Sequence, residues 1–291
     1  MFLVHGIGQG SAAMQFLYGN LTGTQGLDPT KFQVDYGFDF SDCAANTSCA
    51  ATCSLASGGQ RLGQYIQAAN APGRIILLGY SMGGLMSRDV IANNYGNLRS
   101  SGKIAALITL GSPNLGYPYV ALDNLAFCAQ LVNDMAGGWY PLTPQPPTVE
   151  YLSTYLSGLQ QSWQSASYAG PWLAGAGQQC GNGIRNFNFL TQNQTIGCPT
   201  TNGRGDGVVC LASASYSGAF ATGPTPLANT WQDTGQIYVH TNSYAGWGSA
   251  GVFCGNSGNP VTNPPMFNPP PIGPRSLFNQ VEAIINGTNN N

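Results

Sequence analysis

The chain has 291 residues, of which 43% are hydrophobic and only 7% are charged, against roughly a quarter charged in an ordinary soluble domain. Nine basic side chains against eleven acidic ones leave a formal net charge of −2, which excludes the basic footprint of a nucleic-acid binder and any pull toward an anionic membrane surface. No apolar run approaches the about 18 residues of a membrane span, and the length suits one domain carrying an insertion.

The chain opens with Phe2-Leu3-Val4-His5, which reads as a strand running into the glycine-rich loop Gly6-Ile7-Gly8-Gln9-Gly10. These glycines miss the G-x-G-x-x-G spacing of a dinucleotide loop by one place. Met1 leads straight into the strand with neither a basic start nor a small-residue cleavage site, so a leader has been removed or the start is truncated. Eight cysteines without a C-x-x-C pair, beside only two histidines, argue against zinc and for disulfides, and hence for a secreted or periplasmic protein. Cys43, Cys49 and Cys53 form one local cluster, and Cys198 and Cys210 form another.

A helix is predicted over Gln60 to Asn70, closed by Ala71-Pro72-Gly73. Next comes the most informative stretch. Ile75-Ile76-Leu77-Leu78 is an apolar run of the kind buried on both faces of a sheet. Gly79-Tyr80-Ser81-Met82-Gly83 then matches G-x-S-x-G, in which the serine sits on a strained strand-to-helix turn. Leu85, Met86, Val90 and Ile91 recur at helical spacing until Asn93-Asn94-Tyr95-Gly96 stops the helix. In a chain with 40 glycines the bare motif has roughly even odds of arising by chance; strand, turn and helix together mark Ser81 as a nucleophile. Met82, the residue after it, supplies one N–H for a developing oxyanion, and Ile7 in the loop after the opening strand supplies the second.

Ile104 to Leu110 is another apolar strand. Residues 117–183 interrupt the alternation and are rich in aromatics, which makes them a candidate cap or lid insertion. Within them Leu152, Leu156, Leu159 and Trp163 form one apolar stripe on a helix, to be packed onto the domain or to receive an acyl chain. Pro141, Pro144, Pro146 and Pro147 precede it as a hinge or a connector. A strand over Ile184 to Leu190 leads toward Asp206, the leading candidate for the acid that orients a catalytic base. Asp233 competes, but it lies so close before His240 that it falls on the same strand. His240 follows the strand-like Gly235 to Val239, at a carboxyl strand end where open α/β sheets place their chemistry. With His5 committed to the first strand, His240 is the base by elimination. A Pro- and Asn-rich loop over Asn256 to Pro274 precedes a terminal amphipathic helix, Ser276 to Asn286. Strands alternating with helices predict a mainly parallel α/β sheet with helices on both faces.

Val4-His5-Gly6-Ile7-Gly8, Tyr80-Ser81-Met82-Gly83-Gly84 and Leu110-Gly111-Ser112-Pro113-Asn114-Leu115-Gly116 together resemble the α/β-hydrolase lipases and esterases, particularly small secreted bacterial lipases. Asp206-Gly207-Val208-Val209 is similar to their acid loop. The resemblance implies an α/β-hydrolase fold of one domain over residues 1–291. It also implies cleavage of an acyl ester or lipid through an acyl-enzyme, with Ser81 attacking, His240 shuttling the proton, Asp206 fixing the imidazole, and Ile7 and Met82 holding the oxyanion. No cofactor or metal is implied. Asn114 departs from the family, where many relatives carry histidine after the Ser/Thr-Pro pair. Thioesterase, polyester hydrolase and acyltransferase chemistry would use the same triad, and a noncatalytic binding protein on this fold is the alternative of another class. No feature of the sequence specifies an oligomeric state.

Overall fold

The computed structural model describes residues 1–7, 9–23, 27–44, 52–117, 129–139, 150–175, 209, 211–217 and 220–226. Its centre is a four-stranded parallel sheet of β1 (Phe2–Val4), β2 (Ile75–Tyr80), β3 (Ile104–Leu110) and β6 (Trp172–Gly175), in the order β1-β2-β3-β6. Phe2 pairs with Leu77, Leu77 with Leu107, and Leu107 with Trp172, so one register line crosses the whole sheet. Every residue of β1, β2 and β3 is buried, as continuous apolar runs in a sheet covered on both faces require.

Alternate side chains feed two cores. Phe2, Val4, Ile75, Leu77, Leu107 and Trp172 face one layer, while Leu3, Ile76, Leu78, Ile108 and Leu173 face the other. The register slips between Ile75 and Ile76, which pair with Ile104 and Ala106 and leave Ala105 as an extra residue in β3. That bulge explains why Ala105 and Ala106 both belong to the second core, since an inserted residue shifts the pleat by one. The first face is covered by α3 (Leu55–Ala69), α4 (Met82–Ala92) and α6 (Thr154–Gln164), the second by α1 (Gln15–Thr22). This is the expected α/β-hydrolase architecture, a parallel sheet with helices on both faces.

Helix α3 starts five residues before the expected Gln60. Ser54 and Ser57 form a reciprocal cap, each backbone N–H donating to the other's hydroxyl, at 3.0 and 3.1 Å respectively, and Gly58-Gly59 inside the helix hides the start from an apolar count. Asn70 ends it in the left-handed conformation. Helix α4 stops at Ala92, just before Asn93, and β3 spans the expected Ile104–Leu110.

The candidate cap range, residues 117–183, is described only in part. Leu156, Leu159 and Trp163 are buried against the first core, so the stripe on α6 packs onto the domain. Leu152 belongs to β5 (Glu150–Leu152), ahead of the helix, because Ser153 caps α6 by accepting the Leu156 N–H at 3.0 Å. Further on, β6 joins the main sheet. Two body elements thus lie inside 117–183, along with α5 (Ala129–Asp134) and the small antiparallel pair of β4 (Gly137–Trp139) with β5.

Cys43, on α2 (Ser41–Ala44), and Cys53 form a disulfide. Cys49, Cys198 and Cys210 lie outside the described residues, as do the predicted strands over 184–190 and 235–239, the loop over 256–274 and the terminal helix. No described helix is long and apolar enough to cross a membrane.

Candidate active site

Ser81 stands between β2 and α4 with φ 52° and ψ −124°. A non-glycine residue in this region costs roughly 1–3 kcal/mol and persists only when its surroundings enforce it. Here they do. The Ser81 N–H donates to the Leu110 carbonyl at 2.8 Å, tying the turn to the end of β3, and the Gly84 N–H returns to the Ser81 carbonyl at 3.1 Å. The flanking glycines are demanded by close approach. A β-carbon on Gly79 would lie 2.5 Å from the backbone of Gly83 and Gly84, and one on Gly83 would collide with the carbonyls of Val4 and His5. The motif is therefore a statement of how closely α4 descends onto β1 and β2.

Ser81 caps α4 from outside, and Met82 is the first helical residue. The N–H groups of a first turn have no acceptor within their helix and point out along its positive end, which suits them to an oxyanion. The loop after β1 passes the same point, since a β-carbon on Gly6 would stand 3.0 Å from the Ser81 β-carbon. Ile7 follows it with its side chain in the core, which fixes the loop carrying its N–H.

His5 holds that loop in shape. Its Nδ1 lies 2.8 Å from the Gly6 carbonyl and so carries the proton, while Nε2 accepts the Phe40 N–H at 2.9 Å. Both ring nitrogens are thereby committed, and burial pushes the imidazole below its ordinary pKa, offset in part by the Gly6 bond and Asp39. A histidine so engaged does not serve as a base. Asp206 and His240 lie outside the described residues.

Beneath the Ser81 turn, α4 is buried along its whole length, Arg88 and Asp89 included. The Arg88 guanidinium donates to the Asn114 carbonyl and to Gln160 Oε1, both at 2.9 Å. Its carbon lies 4.6, 5.1 and 5.3 Å from the ring centres of Tyr216, Trp163 and Trp172, a desolvated cation–π cage. Burial lowers its pKa to about 10, with Tyr216, Tyr155 and Asp89 acting in the opposite direction, so it stays charged at neutral pH. Of this cluster of Arg88, Asn114, Gln160 and Tyr216 the sequence draws attention to Asn114 alone; the available signal for Arg88 is an arginine inside a helix whose other periodic residues are apolar.

Asp89 packs over Gly59 of α3, where a β-carbon would strike its carboxylate, and accepts from Asn93 Nδ2 at 2.5 Å. Burial raises its pKa to about 7, against the lowering effects of Asn93, Arg88, Tyr155 and Tyr95. The folded chain then binds a proton that the unfolded chain has released between about pH 4 and 7, so this group's contribution to stability declines over that window and is flat above it. Asp89→Asn is expected to remove the decline. The melting temperature of the variant should exceed that of the parent by a margin that widens from pH 4 to 7.5, measured by thermal denaturation of both across the range.

Among known proteins, residues 32–140 match the PGAP1-like alpha/beta domain family. No curated protein matches the chain. Solved structures with a similar arrangement include the Bacillus licheniformis lipase BlEst2 in its mature form, at 17% identity and TM-score 0.42 over 77% of this chain and 83% of that one. The propeptide form of BlEst2 is similar at 16% identity and TM-score 0.43, over 77% and 45%. The Legionella pneumophila phospholipase PlaB is similar at 14% identity and TM-score 0.44, over 73% and 44%. The chain thus spans under half the length of the BlEst2 propeptide form and of PlaB.

Proposed function

We propose that the chain is a serine carboxylic ester hydrolase, an esterase or lipase, with Ser81, His240 and Asp206 as its triad and the N–H groups of Ile7 and Met82 as its oxyanion hole. The observation carrying this reading is the strained Ser81 at the start of α4, flanked by the loop after β1. Such a turn is costly to hold and has no structural use that glycine would not serve better. In the proposed reaction Ser81 Oγ attacks the acyl carbon as His240 takes its proton. The alcohol leaves with that proton, and water then repeats the sequence on the acyl-enzyme. Asp206 orients the imidazole, and the two N–H groups face the oxygen as it gains charge. The cysteine content and the Cys43–Cys53 bridge support a secreted or periplasmic setting.

The test pairs turnover with labelling. The chain should hydrolyse p-nitrophenyl butyrate or p-nitrophenyl palmitate, the faster of the two separating esterase from lipase. A fluorophosphonate should block that activity by adding once per chain, at Ser81 by peptide mass spectrometry. Absence of both turnover and labelling, or labelling at another residue, would reject the proposal.

A further inference from the structure

Of the two proposed oxyanion donors, Met82 is fixed by the start of α4, whereas Ile7 stands in the connection between β1 and a short helical turn, Ser11–Met14. A donor on a connection is only as well placed as the supports of that connection. Here both ends are held by consecutive residues of one distant stretch. At the β1 end, His5 Nε2 accepts the Phe40 N–H at 2.9 Å. At the other end, Asp39 Oδ2 accepts the Ser11 N–H at 3.2 Å and the Ser11 hydroxyl at 3.1 Å. Between them the Ile7 side chain lies in the same core as Phe38 and Phe40.

The Asp39 bonds stand where the helical turn lacks a cap of its own. Gly10 occupies the cap position of Ser11–Met14 and has no side chain to receive an N–H. A β-carbon on Gly10 would lie 3.1 Å from Asp39 Oδ2 and 3.2 Å from the Ser41 β-carbon, so the glycine leaves room for the carboxylate. Asp39 Oδ1 accepts the Ser41 N–H at 2.7 Å, so the same carboxylate also holds the first residue of α2. Partial burial acts to raise its pKa, but the bonds from Ser41 and Ser11 outweigh that and hold the group at about 2, so it is an anion throughout the neutral range.

This stretch is backed in turn by α3. The Cys43 N–H donates to the Phe40 carbonyl at 3.1 Å, and the Cys43–Cys53 bridge ties α2 to the entry of α3. Arg61 of α3 donates to both oxygens of Asp42, at 3.0 and 2.8 Å.

We infer that Asp39 is a positioning residue for ester cleavage: by receiving Ser11 it holds the connection that carries the Ile7 N–H against residues 38–41, and so places that donor for the developing oxyanion. The inference rests on the proposed role of the Ile7 N–H.

Asp39→Asn tests it on the full chain, with p-nitrophenyl butyrate as substrate and n-butyl trifluoromethyl ketone as inhibitor. Ser81 Oγ adds to the ketone carbon and the carbonyl oxygen takes the negative charge, so the adduct calls on the same N–H groups as the transition state. An amide offers one acceptor oxygen where the carboxylate offers two, so Ser11 or Ser41 loses its acceptor. Rates are divided by the Ser81 sites titrated with a fluorophosphonate, which leaves unfolded chains out of account. Removing an oxyanion donor outright costs roughly 10²–10³ in kcat; for a displaced one, kcat should fall about tenfold, the ketone Ki should rise about tenfold, and KM should stay within about twofold. Asp28 accepts the Thr30 N–H and hydroxyl at 2.9 and 2.6 Å within its own turn, so Asp28→Asn removes bonds of the same kind and should leave kcat, KM and Ki at parent values.

An active parent beside an Asp39→Asn with unchanged kcat and Ki would overturn the positioning role alone. So would a loss of kcat with Ki unmoved, or equal losses in Asp28→Asn. A parent with neither turnover nor labelling at Ser81 would overturn the ester hydrolase reading and this inference with it.

Discussion

Ser81→Ala is expected to lower kcat for p-nitrophenyl butyrate by on the order of 10⁴-fold or more, the scale on which a triad hydrolase loses turnover with its nucleophile, while the melting temperature stays near that of the parent. The structural grounds are narrow and specific. Ser81 is the residue bearing the unusual backbone at the head of α4, and the atoms that demand glycine at positions 79 and 83 are main-chain atoms of Gly83, Gly84, Val4 and His5, which Ser81→Ala leaves in place. Ser81→Gly separates strain from chemistry, since glycine adopts φ 52° without a β-carbon penalty. That variant should be equally inactive but more stable than the parent by about 1 kcal/mol, seen in a denaturant titration. Wild-type turnover in either variant would remove Ser81 from the mechanism; a loss of stability in Ser81→Gly would show that the turn is not strained.

Gly83→Ala should be the most damaging single methyl in the described chain. Its β-carbon would be driven into the main-chain carbonyls of Val4 and His5, which cannot turn aside as a flexible side chain would. Relief requires α4 to lift from β1, and that disturbs the loop of Gly6 and Ile7 and the turn of Ser81 together. Overpacking against side chains typically costs 1–3 kcal/mol. Against fixed backbone at the centre of the fold a loss of about 3 kcal/mol or more is expected, accompanied by near-complete loss of activity in whatever protein folds. Chemical denaturation and ester hydrolysis on the same preparation check it. A stable, active Gly83→Ala would mean that the approach of α4 to β1 is looser than described.

What was legible in the sequence was local. The run Ile75–Leu78, the serine between glycines and the spaced apolar residues after it each constrain the backbone within a few residues, and the strand, turn and helix stand where these signals put them. The two-faced burial of the sheet followed from unbroken apolar runs. Harder to read was anything set by partners distant in the chain. Arg88 meets Asn114, 26 residues on, and Gln160, 72 residues on; its apolar helical neighbours hint that it is enclosed, but no local pattern names the partners that enclose it. His5 was set aside as a base, yet its task of bracing the loop through Gly6 and Phe40 depends on a contact 35 residues away. The stripe over Leu152 to Trp163 was sound as periodicity, but spacing alone names neither the element that Leu152 belongs to nor the surface the stripe meets. Asp206 and His240 remain assignments from motif, chain order and elimination.

Because α4 has no solvent-facing side, the turn it supports has no private route of failure. Most helices fray at their ends and open in part long before a protein melts. Among the described residues the amides behind Ser81 are covered by α3 and α6, so the slowest-exchanging hydrogens of the described helices should be those of α4. Local loss of the Ser81 turn and global unfolding then become one event, and a preparation that retains its fold retains the shape of that turn.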